Sequence, residues 1–383
     1  MTELRKFVAP EFIFGVGARK LAGQYAANLG ARKVLLVTDP GVTAAGWTGE
    51  VIGSLAAYNL DVAVFSAVSP NPRDAEVMAG AETYRTQGCN AIVAVGGGSP
   101  MDCAKGIGIV SAGGRPILAF EGVDNVDVPM PPLICIPTTG GTSADVSQFA
   151  IITDVAERVK IAIVSKSVVP DVALVDPETL TTMDPYLTAC TGLDALTHAI
   201  EAFVSNAHSP LTDLHALEAI RLISAHLLPA IQNPGDLDLR SQVMLGSLEA
   251  GLAFSNAILG AVHAMAHSLG GLLDLPHGEC NAILLGHVMS YNYPYASDRY
   301  MKIGDAMGLD MRGMNARERQ NVILAEVARL RRAAGVDRRL SELGVRTTDL
   351  SMLSLKAVKD PCMVTNPRKP SPRDIEVIYA EAL

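Results

Sequence analysis

The sequence predicts two domains of different class: an α/β domain built on a parallel sheet over residues 1–187, and an all-α domain over residues 188–383. Three observations predict this. Short β-branched runs alternate with helical patterns through the first half, and no strand pattern persists beyond about position 187. All eight histidines fall in the second half, between His198 and His287. A chain of 383 residues is long enough for each half to bury its own core.

In the first half, Phe12-Ile-Phe14 is a short extended entry. A helical pattern over 18–29 stops at Gly30 and leads into Lys33-Val-Leu-Leu-Val-Thr38. Helical spacing over 42–58 precedes Asp61-Val-Ala-Val-Phe65, and spacing over 73–86, closed by Gly88, precedes Ala91-Ile-Val-Ala-Val95. Continuous apolar runs separated by helices indicate a parallel sheet covered on both faces, the doubly wound arrangement, in which ligands bind beyond the carboxyl ends of the strands. Leu133-Ile-Cys-Ile136 and Asp171-Val-Ala-Leu-Val-Asp176 read as two more strands. Between them, Phe149-Ala-Ile-Ile-Thr153 and Val159-Lys-Ile-Ala-Ile-Val164, joined near Asp154, read as a β-hairpin lying over the same side.

Three strand ends carry chemistry. Val95 runs into Gly96-Gly-Gly-Ser99-Pro100, where residues without a Cβ let the backbone approach a ligand and Ser99-Pro100 opens a helix whose unpaired N–H groups attract anions. That is a pyrophosphate cradle, although it is not GxGxxG. At Thr38-Asp39 a carboxylate is placed to accept from a ribose 2′-OH and repel a 2′-phosphate, favouring NAD over NADP; the local alternative is an Asp opening the Asp-Pro-Gly turn. Pro137-Thr-Thr-Gly-Gly-Thr-Ser143 is a hydroxyl-rich turn suited to phosphate or ribose. Lys160, in the hairpin, reaches towards the same groups or is simply solvated.

In the second half, Ser209-Pro210 with Asp213, and Ser371-Pro372 with Asp374, read as helix starts. Helical spacing also covers 238–256, 279–291 and 317–334. Asp194 and His198 are four apart on a helical pattern, as are His263 and His267, so each pair shares a helix face. His277 follows Pro276 in a turn, bringing a further imidazole back from outside the helix. One carboxylate and several imidazoles without a thiolate suit a divalent first-row cation such as Fe²⁺ or Zn²⁺, held on inward faces of packed helices. Glu201, just beyond His198, is a candidate to orient that imidazole. His208, His215, His226 and His287 have no such mutual spacing and read as ordinary helix or loop residues.

Composition narrows the class. A formal charge of −9 disfavours nucleic-acid or anionic-membrane binding as the main activity. The six cysteines lack CxxC spacing and the density of a disulfide scaffold, which suits a reduced, cytoplasmic protein. Met-Thr-Glu-Leu-Arg-Lys is not followed by an apolar run, so no signal peptide is expected, and no uninterrupted apolar stretch approaches the ~18 residues that cross a bilayer.

With these residues in order, the whole chain resembles the iron-containing (group III) alcohol dehydrogenase family. The likeness rests on Gly96-Gly-Gly-Ser-Pro, Pro137-Thr-Thr, Gly192-Leu-Asp-Ala-Leu-Thr-His198, and His263-Ala-Met-Ala-His267 through Pro276-His277-Gly278. It implies a Rossmann-like, dehydroquinate synthase-like N-terminal domain, a helical C-terminal domain, a cleft between them and a homodimer. It makes Asp194, His198, His263 and His277 the metal ligands and His267 a proton relay. Asp39, Asn71, Gly97, Gly98, Ser99, Thr138, Thr139, Ser147, Phe149 and Lys160 would line the NAD site, with Thr179 and Thr182 contributing backbone. Phe149, Phe254, Leu259 and Cys362 correspond to substrate-pocket positions. Met101 and Ser143-Ala-Asp145 depart from the family's usual residues, and Phe149 stands where lactaldehyde reductase is polar, which points to a simple primary alcohol rather than a diol.

The chemistry this implies is interconversion of a small primary alcohol and its aldehyde, with the metal polarising the oxygen and hydride passing to or from the nicotinamide. Two alternatives stand beside it. One is a glycerol dehydrogenase-type polyol enzyme using Zn²⁺, and the other is a regulatory or sensor protein with a dehydrogenase body but little turnover.

Overall fold

The computed structural model describes residues 6–383, and the chain divides into two compact units, Val8–Thr182 and Met183–Leu383, the second taking in Lys6 and Phe7. The first unit begins with β1 (Glu11–Phe14), a 3₁₀ turn (Ala18–Leu21) and α1 (Ala22–Asn28). It continues through β2 (Lys33–Val37), α2 (Pro40–Ala44), α3 (Trp47–Ala56), β3 (Asp61–Phe65) and α4 (Asp74–Thr86). Then come β4 (Ala91–Gly96), α5 (Gly98–Gly113), β5 (Gly122–Val123), β6 (Leu133–Pro137), β7 (Phe149–Asp154), β8 (Val159–Val164) and β9 (Val172–Val175).

Six of these strands form one parallel sheet in the order β1-β9-β6-β4-β2-β3. Strand residues alternate between its faces. Val34, Leu36, Val93 and Val95 pack with Trp47, Val51 and Leu55 in one core, and Leu35, Val37, Ile92 and Ala94 pack with Val77, Ile107 and Phe120 in the other. This two-sided burial explains why the central strands read as unbroken apolar runs, whereas the edge strands β1 and β3 are partly exposed. The chain steps from β2 out to β3, then returns past β2 to β4 and onward, so strand order reverses between β2 and β4. At such a reversal the connecting loops part at the carboxyl ends and leave room for a ligand.

The helical spacing over 42–58 is two helices, not one, because Gly46 adopts φ 92° between α2 and α3. The expected hairpin is present, β7 antiparallel to β8, and a third strand, β5, joins β8 in parallel. A two-residue strand leaves no periodicity to read, so β5 was invisible in the sequence.

The second unit is helical throughout its described residues: α6 (Pro185–Val204), α7 (Pro210–Gln232), α8 (Leu237–Ala257), α9 (Ala261–Leu273), α10 (His277–Ala306), α11 (Ala316–Ala333), α12 (Leu350–Ala357) and α13 (Pro372–Ala382). Asp184, Ser209, Asp236, Asn315 and Ser371 cap α6, α7, α8, α11 and α13 through their side chains, satisfying N–H groups that a first turn leaves open. By length and composition α7 could cross a bilayer, but it packs on α6 and α8. The helix pattern expected over 279–291 is the start of a much longer helix, α10, which runs through Pro294 and bends at Ala296. All six cysteines are buried and none is in a disulfide.

Candidate metal centre and strand-end site

Asp194 and His198 project from one face of α6, and His263 and His267 from one face of α9. His277 is the first residue of α10 rather than part of a free turn, with Pro276 as its N-cap. The start of α10 lies close to α6: a Cβ on Gly278 would sit 2.6 Å from the Cys190 carbonyl oxygen and 3.5 Å from Asp194 Cβ. Only a residue without a side chain lets His277 stand this close to Asp194.

One donor atom each from Asp194, His263 and His277 lies within 4.8 Å of the others. His263 Nε2 is 3.6 Å and His277 Nε2 3.8 Å from Asp194 Oδ1. Asn281, one turn into α10, places its amide nitrogen 2.6 Å from Asp194 Oδ1, 3.0 Å from His263 Nε2 and 3.2 Å from His277 Nε2. Three lone pairs therefore converge on one point, which is the geometric requirement for a cation site. His198 stands beside this trio, its ring stacked on His263 at 4.4 Å and on Phe254 at 4.4 Å.

Burial alone would raise the Asp194 carboxyl, but the charges of His198 and His277 and the hydrogen bond with His263 outweigh it and hold the group below the usual carboxylate range. Burial opposes charge on His263 as well, yet its hydrogen bonds to Asp194 and Glu201 lift it to about 9. The pocket is thus built for positive charge, met by protons or by a metal ion. Carboxylate and imidazole donors without thiolate fit Fe²⁺ or Zn²⁺.

Glu201 does not orient His198. Its Oε2 accepts from His263 Nδ1 at 2.6 Å and its Oε1 from the Val262 main-chain N–H at 2.7 Å. Three residues along the helix from His198, it points instead across to the start of α9, where unpaired N–H groups and an imidazole offer better donors. With Nδ1 donating there, Nε2 is the nitrogen that faces Asp194, and it is the one that carries the lone pair when the ring is neutral. His267 has a partner the sequence did not suggest: Asp360 accepts from its Nδ1 at 2.8 Å, both side chains being buried, and its ring stacks on His277 at 5.3 Å. Asp360 also accepts from the Cys362 N–H at 2.8 Å, and the Thr365 hydroxyl donates to the Leu259 carbonyl at 2.6 Å. Phe254, Leu259 and Cys362 are buried in this unit, whereas Phe149 belongs to the other.

The histidines set aside are engaged elsewhere: His215 with Glu249, His226 with the Leu222 carbonyl, His208 with Asp213 and His287 with Glu381.

In the first unit Asp39, Gly97, Gly98, Ser99, Thr138 and Thr139 lie at the carboxyl ends of β2, β4 and β6, whereas Asn71 follows β3, Ser147 and Phe149 lie at the start of β7, Lys160 is in β8, and Thr179 and Thr182 follow β9. Asp39 caps α2, its Oδ1 accepting from the Val42 N–H at 2.9 Å, so the turn-opening role is present and one carboxylate oxygen is committed to it. Gly96 adopts φ 156°, and α5 starts at Gly98, followed by Ser99. A Cβ on Gly97 would lie 3.1 Å from Thr139 Cγ2, and one on Gly98 2.8 Å from Thr142 Oγ1. The Thr138 N–H donates to the Gly96 carbonyl at 2.9 Å, binding the two strand-end loops together. Among the described residues the buried Thr139 Oγ1 has no hydrogen-bond partner, an orphaned group beside this cradle. Lys160 donates to Asn71 Oδ1 at 2.7 Å, joining two candidate residues. The Thr179 hydroxyl donates to the Pro137 carbonyl at 2.8 Å, and Thr182 accepts from the Trp47 indole at 2.9 Å. Both hydroxyls are thus engaged within the fold. A glycine-lined cradle at a helix start, with an orphaned hydroxyl, fits a dinucleotide.

A doubly wound unit with a glycine-lined strand-end loop and a helical unit with converging carboxylate and imidazole groups fit the plan of a two-domain oxidoreductase. Residues 9–177 match the iron-containing alcohol dehydrogenase family and residues 188–383 its C-terminal family, so the chain belongs to the iron-containing alcohol dehydrogenases. It is 39% identical over 371 residues to 1,3-propanediol dehydrogenase of Citrobacter freundii, covering 96% of each chain. It is 36% identical over 377 residues to NAD-dependent methanol dehydrogenase of Bacillus methanolicus, covering 98% of this chain and 99% of the relative. The crystal structure of a 1,3-propanediol oxidoreductase superposes with a TM-score of 0.97 at 38% identity, covering 100% of both chains.

One consequence concerns pH. The His263 imidazole, at about 9 in the fold against an ordinary 6.5, stabilises the metal-free protein fully below 6.5, and that contribution is lost as pH rises through 9. The melting temperature of chelator-treated protein is expected to fall between these values, and the fall to disappear once Zn²⁺ is restored. A flat profile without metal would mean that His263 is neutral in the fold.

Proposed function

We propose that this protein is an NAD-dependent, metal-dependent dehydrogenase that interconverts a small primary alcohol and its aldehyde. The observation that carries the reading is the convergence of the Asp194, His263 and His277 donors on one point. Asp194, His198, His263 and His277 would hold the cation. Asp39, Asn71, Gly97, Gly98, Ser99, Thr138, Thr139, Ser147, Phe149 and Lys160 would receive the dinucleotide. When bound, a divalent cation supplies Lewis acidity towards the alcohol or carbonyl oxygen, and NAD the hydride acceptor or donor.

The chain's own residues do the rest. Asp194 contributes the negative charge that favours a cation, and Glu201 keeps the His263 lone pair directed at it. Asp360 accepts from His267 Nδ1, which leaves Nε2 as the nitrogen that takes up or gives back the hydroxyl proton. Phe254, Leu259 and Cys362 make the surroundings apolar and dry, suited to a short unbranched substrate. The names of the relatives, methanol and 1,3-propanediol dehydrogenases, support small primary alcohols as the class and NAD as the cofactor.

The test is NADH absorbance over a panel of short alcohols and aldehydes, with Fe²⁺ and Zn²⁺ each added to metal-free protein. Turnover with at least one pair is expected. Binding of NADH without turnover across the panel would overturn the reading in favour of a sensing role. Within an active preparation, His267→Ala is expected to keep its metal and lose roughly a hundredfold or more in turnover. Parallel loss of metal would make His267 a ligand instead.

A further inference from the structure

His263 is the third residue of α9, a helix whose N-cap, Gly260, has no side chain to offer. The N–H groups of a first turn have no partner within their own helix. Here all three are taken by side chains distant in sequence: Ala261 donates to Asn366 Oδ1 at 3.1 Å, Val262 to Glu201 Oε1 at 2.7 Å and His263 to Glu201 Oε2 at 3.4 Å. Glu201 is thus one half of the cap. Asn366, 105 positions along the chain from Ala261, is the other.

The Asn366 amide can stand in only one orientation. Its oxygen also accepts from Asn292 Nδ2 at 2.9 Å, and its nitrogen donates to Asn292 Oδ1 at 2.8 Å and to the Arg368 carbonyl at 2.6 Å. Reversed, it would set N–H groups against the Ala261 N–H and its oxygen against the Arg368 carbonyl. Asn366 therefore ties the first turn of α9 to α10, the helix that begins with His277, while Glu201 ties the same turn to α6, which carries Asp194 and His198. Gly260 shows how closely the two side chains approach. Its φ of −147° makes no demand for glycine, yet a Cβ there would lie 2.8 Å from Glu201 Oε1 and 2.9 Å from Asn366 Oδ1. Both atoms are buried, and neither can retreat without giving up hydrogen bonds.

We propose that Asn366 is a positioning residue for the metal centre that acts through the main chain of α9, fixing where the His263 imidazole stands relative to Asp194 and His277. This deepens the metal reading above and rests on it.

The test is Zn²⁺ affinity, by competition with a chromophoric chelator, at a temperature where circular dichroism shows each variant folded. Asn366→Ala removes the acceptor and is expected to bind Zn²⁺ roughly fivefold to tenfold more weakly than the wild type. Asn366→Asp keeps an oxygen for the Ala261 N–H in either protonation state but cannot make both of the amide's donations. Asn206→Ala takes away only the 2.9 Å hydrogen bond to the Asn366 main-chain carbonyl. Both are expected to melt at a lower temperature yet to bind Zn²⁺ within about twofold of the wild type. Should Asn366→Ala fail to fold, Gly260→Ala, which drives a methyl group between Glu201 and Asn366, is expected to show the same loss of affinity. Unchanged affinity in the variant that removes or displaces the acceptor would overturn the proposal. So would a loss in Asn206→Ala or Asn366→Asp as large as that in Asn366→Ala, since affinity would then merely follow stability. A wild-type protein that binds no Zn²⁺ at all would instead remove the metal reading itself.

Discussion

On the proposed function, replacing Asp194 with alanine is expected to abolish divalent-cation binding and to lower turnover on the order of a thousandfold or more, since a cation's Lewis acidity is worth several kcal/mol in the transition state. Asp194 is the one carboxylate on which the His263 and His277 imidazoles converge. Without it, only neutral nitrogens and the Asn281 amide face the ion. Metal content by elemental analysis, measured beside alcohol-dependent NADH formation, checks this. A variant that keeps a full equivalent of metal and near-normal turnover would dismiss the site.

The next largest effect is expected from Glu201→Gln. The carboxylate uses both oxygens as acceptors, one for the Val262 N–H and one for His263 Nδ1. An amide of the same shape has one acceptor oxygen and a nitrogen that can only donate, so one buried N–H must face another donor. That costs about 1–3 kcal/mol of stability, read as a fall of a few degrees in melting temperature. Losing the orienting carboxylate is expected to weaken metal binding roughly tenfold to a hundredfold. Metal affinity measured by competition with a chromophoric chelator discriminates: an unchanged value would show that His263 needs no partner to present its lone pair.

Much of the site was visible before folding because helical periodicity is local. Four-residue spacing put Asp194 with His198 and His263 with His267, and the helices α6 and α9 present them so. Strand runs ending in Gly96-Gly-Gly or Pro137-Thr-Thr likewise announced their loops. Partners chosen across long stretches of chain left no such trace. Glu201 meets His263 across 62 positions, His267 meets Asp360 across 93, and Asn281 reaches Asp194 across 87. The expectation that Glu201 serves His198 followed from proximity along one helix, and the packing of α9 supplied a stronger donor.

The sequence by itself determined the class of each half, the doubly wound sheet and the helical unit, and which side chains share a helix face or a strand end. Apolar period and turn residues act over a few positions and are fully written in the chain. Only the tertiary structure decided how those residues meet: which imidazole nitrogen faces Asp194 and which carboxylate faces which histidine. A hydrogen bond is settled by distance and direction in space, and neither is a property of spacing along the chain.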